Sequence, residues 1–200
     1  MNQNILLFFN NMVGKSVILD DIAKFLIQGI IFIIPIIILV VYFRGFYLKK
    51  KENRTAAVNT GCIVVIGLII GSIISHLFFE ARPMFALGNV THLMSYTNDS
   101  SFPSDHMLLC FGTAFGFYPL SKKLSFWLMG FGLIVGIAKI FAAQHYPLDI
   151  LGTIILVLAI SILYFTLISK WITKLYVAIE KKVLPKFTVR ENSLNGQTKH

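Results

Sequence analysis

Six ionisable side chains lie close to the ends of long apolar stretches, where such groups are rare. They are Arg82, Asp105, His106, Lys139, His145 and Asp149. A charged group in or beside a membrane-spanning segment is costly, so each of them is a candidate for a functional site. Imidazoles serve as nucleophiles and proton donors, and carboxylates orient them. The two cations at the same boundary favour an anionic ligand.

His145 and Asp149 lie in the segment His-Tyr-Pro-Leu-Asp. Pro147 suits the first turn of a helix, and a spacing of four residues places His145 and Asp149 on one helical face. The carboxylate then accepts the Nδ1–H of the imidazole, fixes its tautomer and leaves Nε2 free to attack. An interfacial histidine near a capping aspartate explains this segment equally well when it is taken alone.

A helix start is predicted at Pro-Ser-Asp-His, which ends at His106. Ser104 is a good N-cap, and Asp105 suits the positive end of the helix dipole. Capping accounts for these residues but not for His106. The free backbone N–H groups of such a helix start are a binding site for phosphate.

Two cations complete the pattern. Taken alone, Arg82 is a loop arginine before the helix-stopping Pro83, and Lys139 extends from its span to the outer surface. The predicted topology places both cations at the same end of the molecule as His106 and His145. This convergence favours one shared site for an anionic group over three separate structural roles.

The composition excludes a water-soluble globular protein. Of the 200 residues, 56% are hydrophobic and only 14% are charged, and the mean hydropathy is +0.75. Five stretches are long and apolar enough to be predicted spans: 25–43, 56–79, 104–120, 124–143 and 148–169. We therefore expect an all-α membrane bundle of about five transmembrane helices. We also expect a short interfacial N-terminal helix, a loop over residues 14–21, a single transmembrane domain over 1–187 and a basic cytoplasmic tail over 188–200.

The distribution of lysine and arginine predicts the orientation. With five spans, 14 of the 18 basic residues lie on one side, which is therefore cytoplasmic. The N-terminus and the candidate site are then outside, and only Lys15 and Lys24 depart from the pattern. The net charge of +9 thus reflects membrane topology, and no nucleic-acid partner is expected. Cys62 and Cys110 lie within apolar runs and indicate neither a disulfide framework nor a zinc site.

Three segments, Arg82-Pro83, Pro-Ser-Asp-His ending at His106, and Lys139 to Asp149, together resemble the signature motifs of the type 2 phosphatidic acid phosphatase superfamily. Those motifs are K-x6-R-P, P-S-G-H and S-R-x5-H-x3-D. The resemblance extends from about the second to the fifth predicted span. The small size, five spans and aspartate in P-S-D-H are more closely similar to the bacitracin-resistance type of undecaprenyl-diphosphate phosphatases. The resemblance implies a membrane helical bundle, a phosphohistidine intermediate and no metal or other cofactor.

The sequence departs from each of the three family motifs. Ser75, next to His76, stands where the first motif has lysine, and Ala138-Lys139 replaces Ser-Arg in the third motif. Lysine keeps the charge but lacks the bidentate fork of arginine. Asp105 replaces glycine and adds a negative charge, which an ion pair with Arg82 or Lys139 would offset.

The resemblance implies a role for each residue. His145 attacks phosphorus while Asp149 holds its ring, and His106 protonates the leaving oxygen and then activates water. The groups expected to bind the phosphate are Arg82, Ser104, Asp105, Lys139 and the amides of the helix start. The implied reaction converts polyprenyl diphosphate to the monophosphate at the outer face, recycling the lipid carrier for cell-wall synthesis.

Other functions remain open on the sequence. Within the same superfamily, the substrate can be phosphatidylglycerophosphate or another lipid monoester. A small anion or lipid transporter is the alternative from another class, although transporter charges are expected nearer the bilayer midplane. A metal site built from His92, Asp99, Asp105 and His106 lacks a recognisable ligand spacing. The oligomeric state is not predicted.

Overall fold

A computed structural model describes residues 2–183 of the chain as a bundle of helices. The elements are α1 (Asn2–Asn10), α2 (Val17–Tyr47), α3 (Lys51–Leu77), α4 (Pro83–Ala86), α5 (Asp105–Phe117), α6 (Lys122–Phe141), α7 (Pro147–Leu163), a π-helical turn (Tyr164–Ile168) and α8 (Ser169–Val183). Helices α2, α3 and α6 and the continuous segment from Pro147 to Val183 are long and apolar enough to cross a membrane. The all-α membrane bundle with a short N-terminal helix is confirmed. The domain boundary expected after residue 187 and the tail lie outside the described residues.

Helix α2 begins earlier than the hydropathy predicts. Ser16 caps it by accepting a hydrogen bond from the amide of Leu19 (3.4 Å), so the helix starts at Val17. The predicted loop over residues 14–21 is wrong beyond residue 16. Asp20 interrupts the apolar pattern, but a carboxylate is favourable in the first turn of a helix. It also accepts a hydrogen bond from the amide of Gly14 (3.1 Å), which adopts a positive φ of 79°.

Helix α5 replaces the predicted third span and is shorter. Its 13 residues extend about 20 Å, less than the hydrocarbon core of a bilayer. Ten of those residues are buried, because α2, α3, α6 and α7 all pack around it. Gly116 permits the close approach of α3, since a Cβ there would lie 2.6 Å from the Thr60 hydroxyl oxygen. The short central helix thus begins at the end of the bundle where the candidate residues meet.

Helix α8 continues the predicted fifth span well past residue 169 and is anchored by a buried ion pair. Arg54 on α3 donates to both carboxylate oxygens of Glu180, at 2.6 and 3.2 Å. Tyr176 also donates to Glu180 (2.6 Å), and Arg54 donates to the carbonyl of Gly45 at the end of α2 (3.0 Å). These bonds join α2, α3 and α8 at the end of the bundle that is remote from His145.

The N-terminal helix α1 packs at the opposite end. The amide group of Asn10 donates to the carbonyls of Thr91 and Phe141, both at 2.9 Å. The amide of Thr91 donates back to Asn10 (2.7 Å). Helix α1 therefore joins the end of α6 to the connection between α4 and α5, the segment that carries much of the candidate site.

Candidate active site

The backbone brings three distant segments together. Ala81 and Ser100 form an isolated antiparallel bridge, and the amide of Ser101 donates to the carbonyl of Glu80 (2.7 Å). Helix α4 begins directly after Arg82, and the amide of Met84 donates to the carbonyl of Ala143 (2.9 Å). These bonds place Arg82 beside Ser101 and beside the turn that joins α6 to α7.

His145 lies in that turn, outside any helix, and only 1% of its surface is exposed. Its Nδ1 lies 2.6 Å from the carbonyl oxygen of Ser101, so Nδ1 carries the proton and donates. Its Nε2 accepts a hydrogen bond from Nη1 of Arg82 (3.0 Å). Burial, followed by the charges of Arg82 and Lys139, holds the pKa of His145 well below its usual value. The residue is therefore a neutral imidazole with its Nε2 lone pair directed at the cations.

Asp149 acts on His145 through Ser101. Its Oδ2 accepts hydrogen bonds from the Ser101 hydroxyl (2.5 Å) and from the amide of Tyr146 (2.8 Å), and lies 3.9 Å from Nδ1 of His145. The predicted direct bond between imidazole and carboxylate is wrong in this structure. His145 precedes α7, which begins at Pro147, so the two side chains do not share a helical face.

Two buried cations share one set of neighbours. Arg82 donates to Asp99 through Nε (2.6 Å) and to the carbonyl of Gln144 through Nη1 (2.9 Å). Lys139 donates to the side-chain oxygen of Gln144 (2.8 Å). The ring of Tyr96 covers both, with its centroid 4.5 Å from Cζ of Arg82 and 5.1 Å from Nζ of Lys139. Within residues 2–183, Lys139 has no carboxylate at ion-pair distance, which leaves its charge for an anionic ligand.

The start of α5 provides further polar groups. Ser104 is fully buried, and its hydroxyl has no partner among the described residues, while its amide donates to Thr153 (3.0 Å). The predicted N-cap bond of this serine is therefore absent. His106 donates from Nε2 to the carbonyl of Ile27 (2.8 Å), which leaves Nδ1 as the unprotonated nitrogen of its neutral ring. Asp105 is exposed and forms no ion pair in the part of the chain described, since Arg82 pairs with Asp99 instead.

The residues at and beside the position of the first-motif lysine make only local hydrogen bonds. Ser75 and His76 both bond back to the carbonyl of Ser72 on their own helix, at 2.9 and 2.6 Å. Neither forms a hydrogen bond or ion pair with the described residues around His145. Over residues 2–183, no three His, Cys, Asp or Glu side chains are grouped to hold a metal ion.

Four residues of this cluster were not predicted: Tyr96, Asp99 as a partner of Arg82, Ser101 and Gln144. On the sequence, Asp99 is a candidate metal ligand only. Gln144 directly precedes His145, and a polar residue beside a motif in an apolar sequence is the signal that points to it, whereas Ser101 lies in the polar stretch 95–101 and does not stand out. Tyr96 lies in an irregular connection without periodicity, so no local pattern indicates its position.

The fold is similar to that of a solved structure, and the sequence is similar to those of known proteins. The crystal structure of Aquifex aeolicus LpxE superposes with a TM-score of 0.65 at 18% identity, covering 82% of this chain and 94% of that one. Undecaprenyl-diphosphatase BcrC of Bacillus subtilis is 27% identical over 197 residues, 98% of this chain and all of the relative. A Bacillus licheniformis protein named bacitracin transport permease protein BcrC is also 27% identical, over 96% of this chain and 94% of its own length.

The family assignment rests on the central part of the chain. The sequence profile of the PAP2 superfamily matches residues 56–173, from α3 to α8. This range includes Arg82, His106, Lys139 and His145, and it covers more than half of the 200 residues. The chain therefore belongs to the PAP2 superfamily.

Proposed function

We propose that this protein is a lipid phosphatase that hydrolyses polyprenyl diphosphate, above all undecaprenyl diphosphate, to the monophosphate and inorganic phosphate. The observation that carries the proposal is the 3.0 Å contact between Nη1 of Arg82 and Nε2 of His145, with Lys139 buried nearby. A phosphoryl group bound by these cations lies against the lone pair of a neutral imidazole. Charge neutralisation and positioning are the main tasks in phosphoryl transfer.

In the first step Nε2 of His145 attacks the terminal phosphorus, and the bond from phosphorus to the bridging oxygen breaks. Arg82 transfers its Nη1 hydrogen bond from Nε2 to a phosphoryl oxygen, which frees the lone pair. The positive charge that develops on the imidazole is stabilised by the Ser101 carbonyl and by Asp149 behind it. The product is a phosphohistidine, and the lipid monophosphate leaves.

In the second step water cleaves the bond between phosphorus and nitrogen. His106, protonated on Nδ1 when the anionic substrate binds, gives that proton to the leaving oxygen in the first step and takes one back from the attacking water in the second, since Nδ1 is the nitrogen available for both transfers. The Ser104 hydroxyl and the amides that open α5 stabilise the phosphoryl oxygens. His145 returns to its neutral form and inorganic phosphate is released. The reaction uses no metal ion.

A diphosphate suits this site better than a lipid monophosphate. Its leaving group is a phosphate monoester, which departs more readily than an alkoxide and demands less of His106. Its larger negative charge matches two cations of which, within residues 2–183, only Arg82 has a carboxylate partner, Asp99. The name of the B. subtilis relative, undecaprenyl-diphosphatase, supports the same class of substrate.

We place the site at the outer face of the membrane. The support is the concentration of lysine and arginine on the opposite side, and an outward site receives a headgroup whose tail stays in lipid. Reporters inserted after Lys51, Met94 and Lys123, with the rest of the chain retained, test this orientation. We expect only the reporter after Met94 to be external, and a cytoplasmic signal there would contradict an outward site.

The substrate is tested with purified protein in detergent. Release of phosphate from farnesyl or undecaprenyl diphosphate, phosphatidylglycerophosphate and phosphatidic acid is compared as kcat/KM under identical conditions. We expect the polyprenyl diphosphate to be preferred by at least tenfold. A preference for either glycerolipid would contradict the substrate while supporting the histidine chemistry. Hydrolysis of none of them would favour transport, the activity that the name of the B. licheniformis relative states.

A further inference from the structure

Gln144 contacts both cations of the site and directly precedes His145. Its carbonyl accepts a hydrogen bond from Arg82 (2.9 Å), and its side-chain Oε1 accepts one from Nζ of Lys139 (2.8 Å). Its backbone amide donates to the backbone carbonyl of Lys139 (3.0 Å), which closes the turn after α6. No part of Gln144 is exposed. The residue is thus fixed between the two groups that attract an anion.

The other half of the same side chain is unsatisfied. Nε2 of Gln144 is buried and has no hydrogen-bond partner among residues 2–183. Rotating the amide by 180° gives no relief, because its NH₂ group would then face the ammonium of Lys139, donor against donor. A buried N–H group without an acceptor is destabilising. The orientation of the amide is therefore set by Lys139, and its N–H groups remain for an acceptor that arrives with a ligand.

We propose that Gln144 is a phosphate-binding residue whose Nε2 donates to a non-bridging oxygen of the phosphoryl group that His145 attacks. The inference rests on the proposed function and assigns a further ligand of the same site. Gln144 would also replace the donor that lysine supplies in the first family motif, because Ser75, which stands at that position, hydrogen-bonds to its own helix. Gln144 supplies from the α6–α7 turn a donor that α3 does not provide.

The alternative is that Gln144 only positions Lys139. Gln144→Glu keeps an oxygen acceptor for Lys139 but replaces the N–H donor with a negative charge, which also pairs with Lys139 and repels an anion. Gln144→Met removes the acceptor and the donor together. The roles are separated by Gln144→Met in a Lys139→Met background. A residue that only positions Lys139 has no further effect there, whereas a phosphate donor still lowers the affinity for the anion.

The test measures binding as well as turnover. Calorimetry gives the Kd for orthovanadate, a mimic of the transferred phosphoryl group, for wild type and these variants in detergent. We expect Kd to rise about tenfold to a hundredfold with each Gln144 substitution, as for loss of a hydrogen bond to a charged group. The KM for farnesyl diphosphate should rise with it. Gln3→Glu, the same change on the exposed face of α1, is the matched control and should leave both constants unchanged.

The possible outcomes are distinct. Wild-type affinity for orthovanadate in Gln144→Glu would overturn the proposal, as would a wild-type protein that does not bind orthovanadate. Affinity that depends on Gln144 in a protein that hydrolyses none of the lipids would support the binding residue and contradict the proposed function. The melting temperature of each variant verifies that Gln144→Glu is folded, which its retained acceptor for Lys139 favours.

Discussion

The carbonyl oxygen of Ser101 accepts a 2.6 Å hydrogen bond from Nδ1 of His145. A backbone carbonyl is an acceptor only, so this contact fixes the imidazole as the Nδ1–H tautomer at any pH where the ring is neutral. The hydroxyl of the same serine donates to Asp149. Ser101 therefore links the carboxylate of Asp149 to the imidazole of His145, so in the proposed mechanism Ser101 and Asp149 are positioning residues.

Substitution of Ser101 by alanine should lower kcat about tenfold to a hundredfold with little change in KM. The hydroxyl makes one hydrogen bond to a charged group, and its loss loosens the carbonyl that holds the ring. Because both residues act on one ring, the double variant Ser101→Ala, Asp149→Asn should lose less than the sum of the single effects. A full double-mutant cycle in kcat measures this coupling. Strict additivity would contradict the chain from Asp149 through Ser101 to His145.

The pH dependence follows from the environment of His145. Burial and the neighbouring cations hold its pKa well below the usual value of about 6.5, so the imidazole stays neutral and nucleophilic below that pH. We expect kcat/KM to show no acid limb near pH 6.5. A fall in kcat/KM that fits a group titrating near 6.5 in the free enzyme would contradict this environment.

The lowered pKa of His145 also makes the stability of the fold depend on pH. Below pH 6.5 the unfolded chain protonates His145 and the folded protein does not, so the unfolded state binds more protons and stability falls as the pH falls. Wild type should therefore lose more of its melting temperature between pH 7.5 and 5.5 than His145→Gln, which cannot titrate. Parallel melting curves for the two proteins would contradict the lowered pKa.

A covalent phosphoenzyme should form without added metal. Rapid acid-free quenching after mixing with terminally ³²P-labelled diphosphate should trap label on the protein, stable to base and lost in acid. His145→Gln should carry none, and a chelator should leave turnover nearly intact. Activity that is lost to chelator and restored by Mg²⁺ would contradict the proposed mechanism.

The ion pair at the other end of the bundle should affect stability and not catalysis. Glu180→Gln removes the buried carboxylate that pairs with Arg54, and breaking a buried ion pair costs about 3–5 kcal/mol. We expect a clear fall in melting temperature with an unchanged KM at low temperature. Glu52→Gln, on the exposed surface of α3, is the control. A melting temperature equal to that of the control would contradict a stabilising pair.

The sequence predicts the principal groups of the site and misses those that act through tertiary contacts. Arg82, Lys139 and His145 are recognisable because charge and spacing are properties of the sequence, and the fold brings them together. The role of Ser101 depends on its backbone carbonyl, which every residue has. Tyr96 lies across two cations only because its connecting segment folds back over the end of the bundle.

The helix boundaries differ from prediction for related reasons. Hydropathy alone places the start of α2 after Asp21, whereas the cap at Ser16 decides where the helix begins. Helix α5 is short because it is surrounded by other helices and need not match the thickness of the bilayer. Helix α8 extends beyond the apolar run because Lys170 and Lys174 are exposed on a helix whose other side packs on α3.

The position of Glu180 also constrains how this protein can be shortened or tagged. A chain that stops near residue 169, where the apolar sequence ends, lacks both Tyr176 and Glu180 and leaves Arg54 buried without its carboxylate. Reporter fusions made by truncation after Lys51 or Lys123 also remove Tyr176 and Glu180, so their signals would come from incomplete bundles. Insertions that retain everything through Glu180 avoid this. Affinity tags belong beyond that residue, where they leave the α3–α8 contact intact.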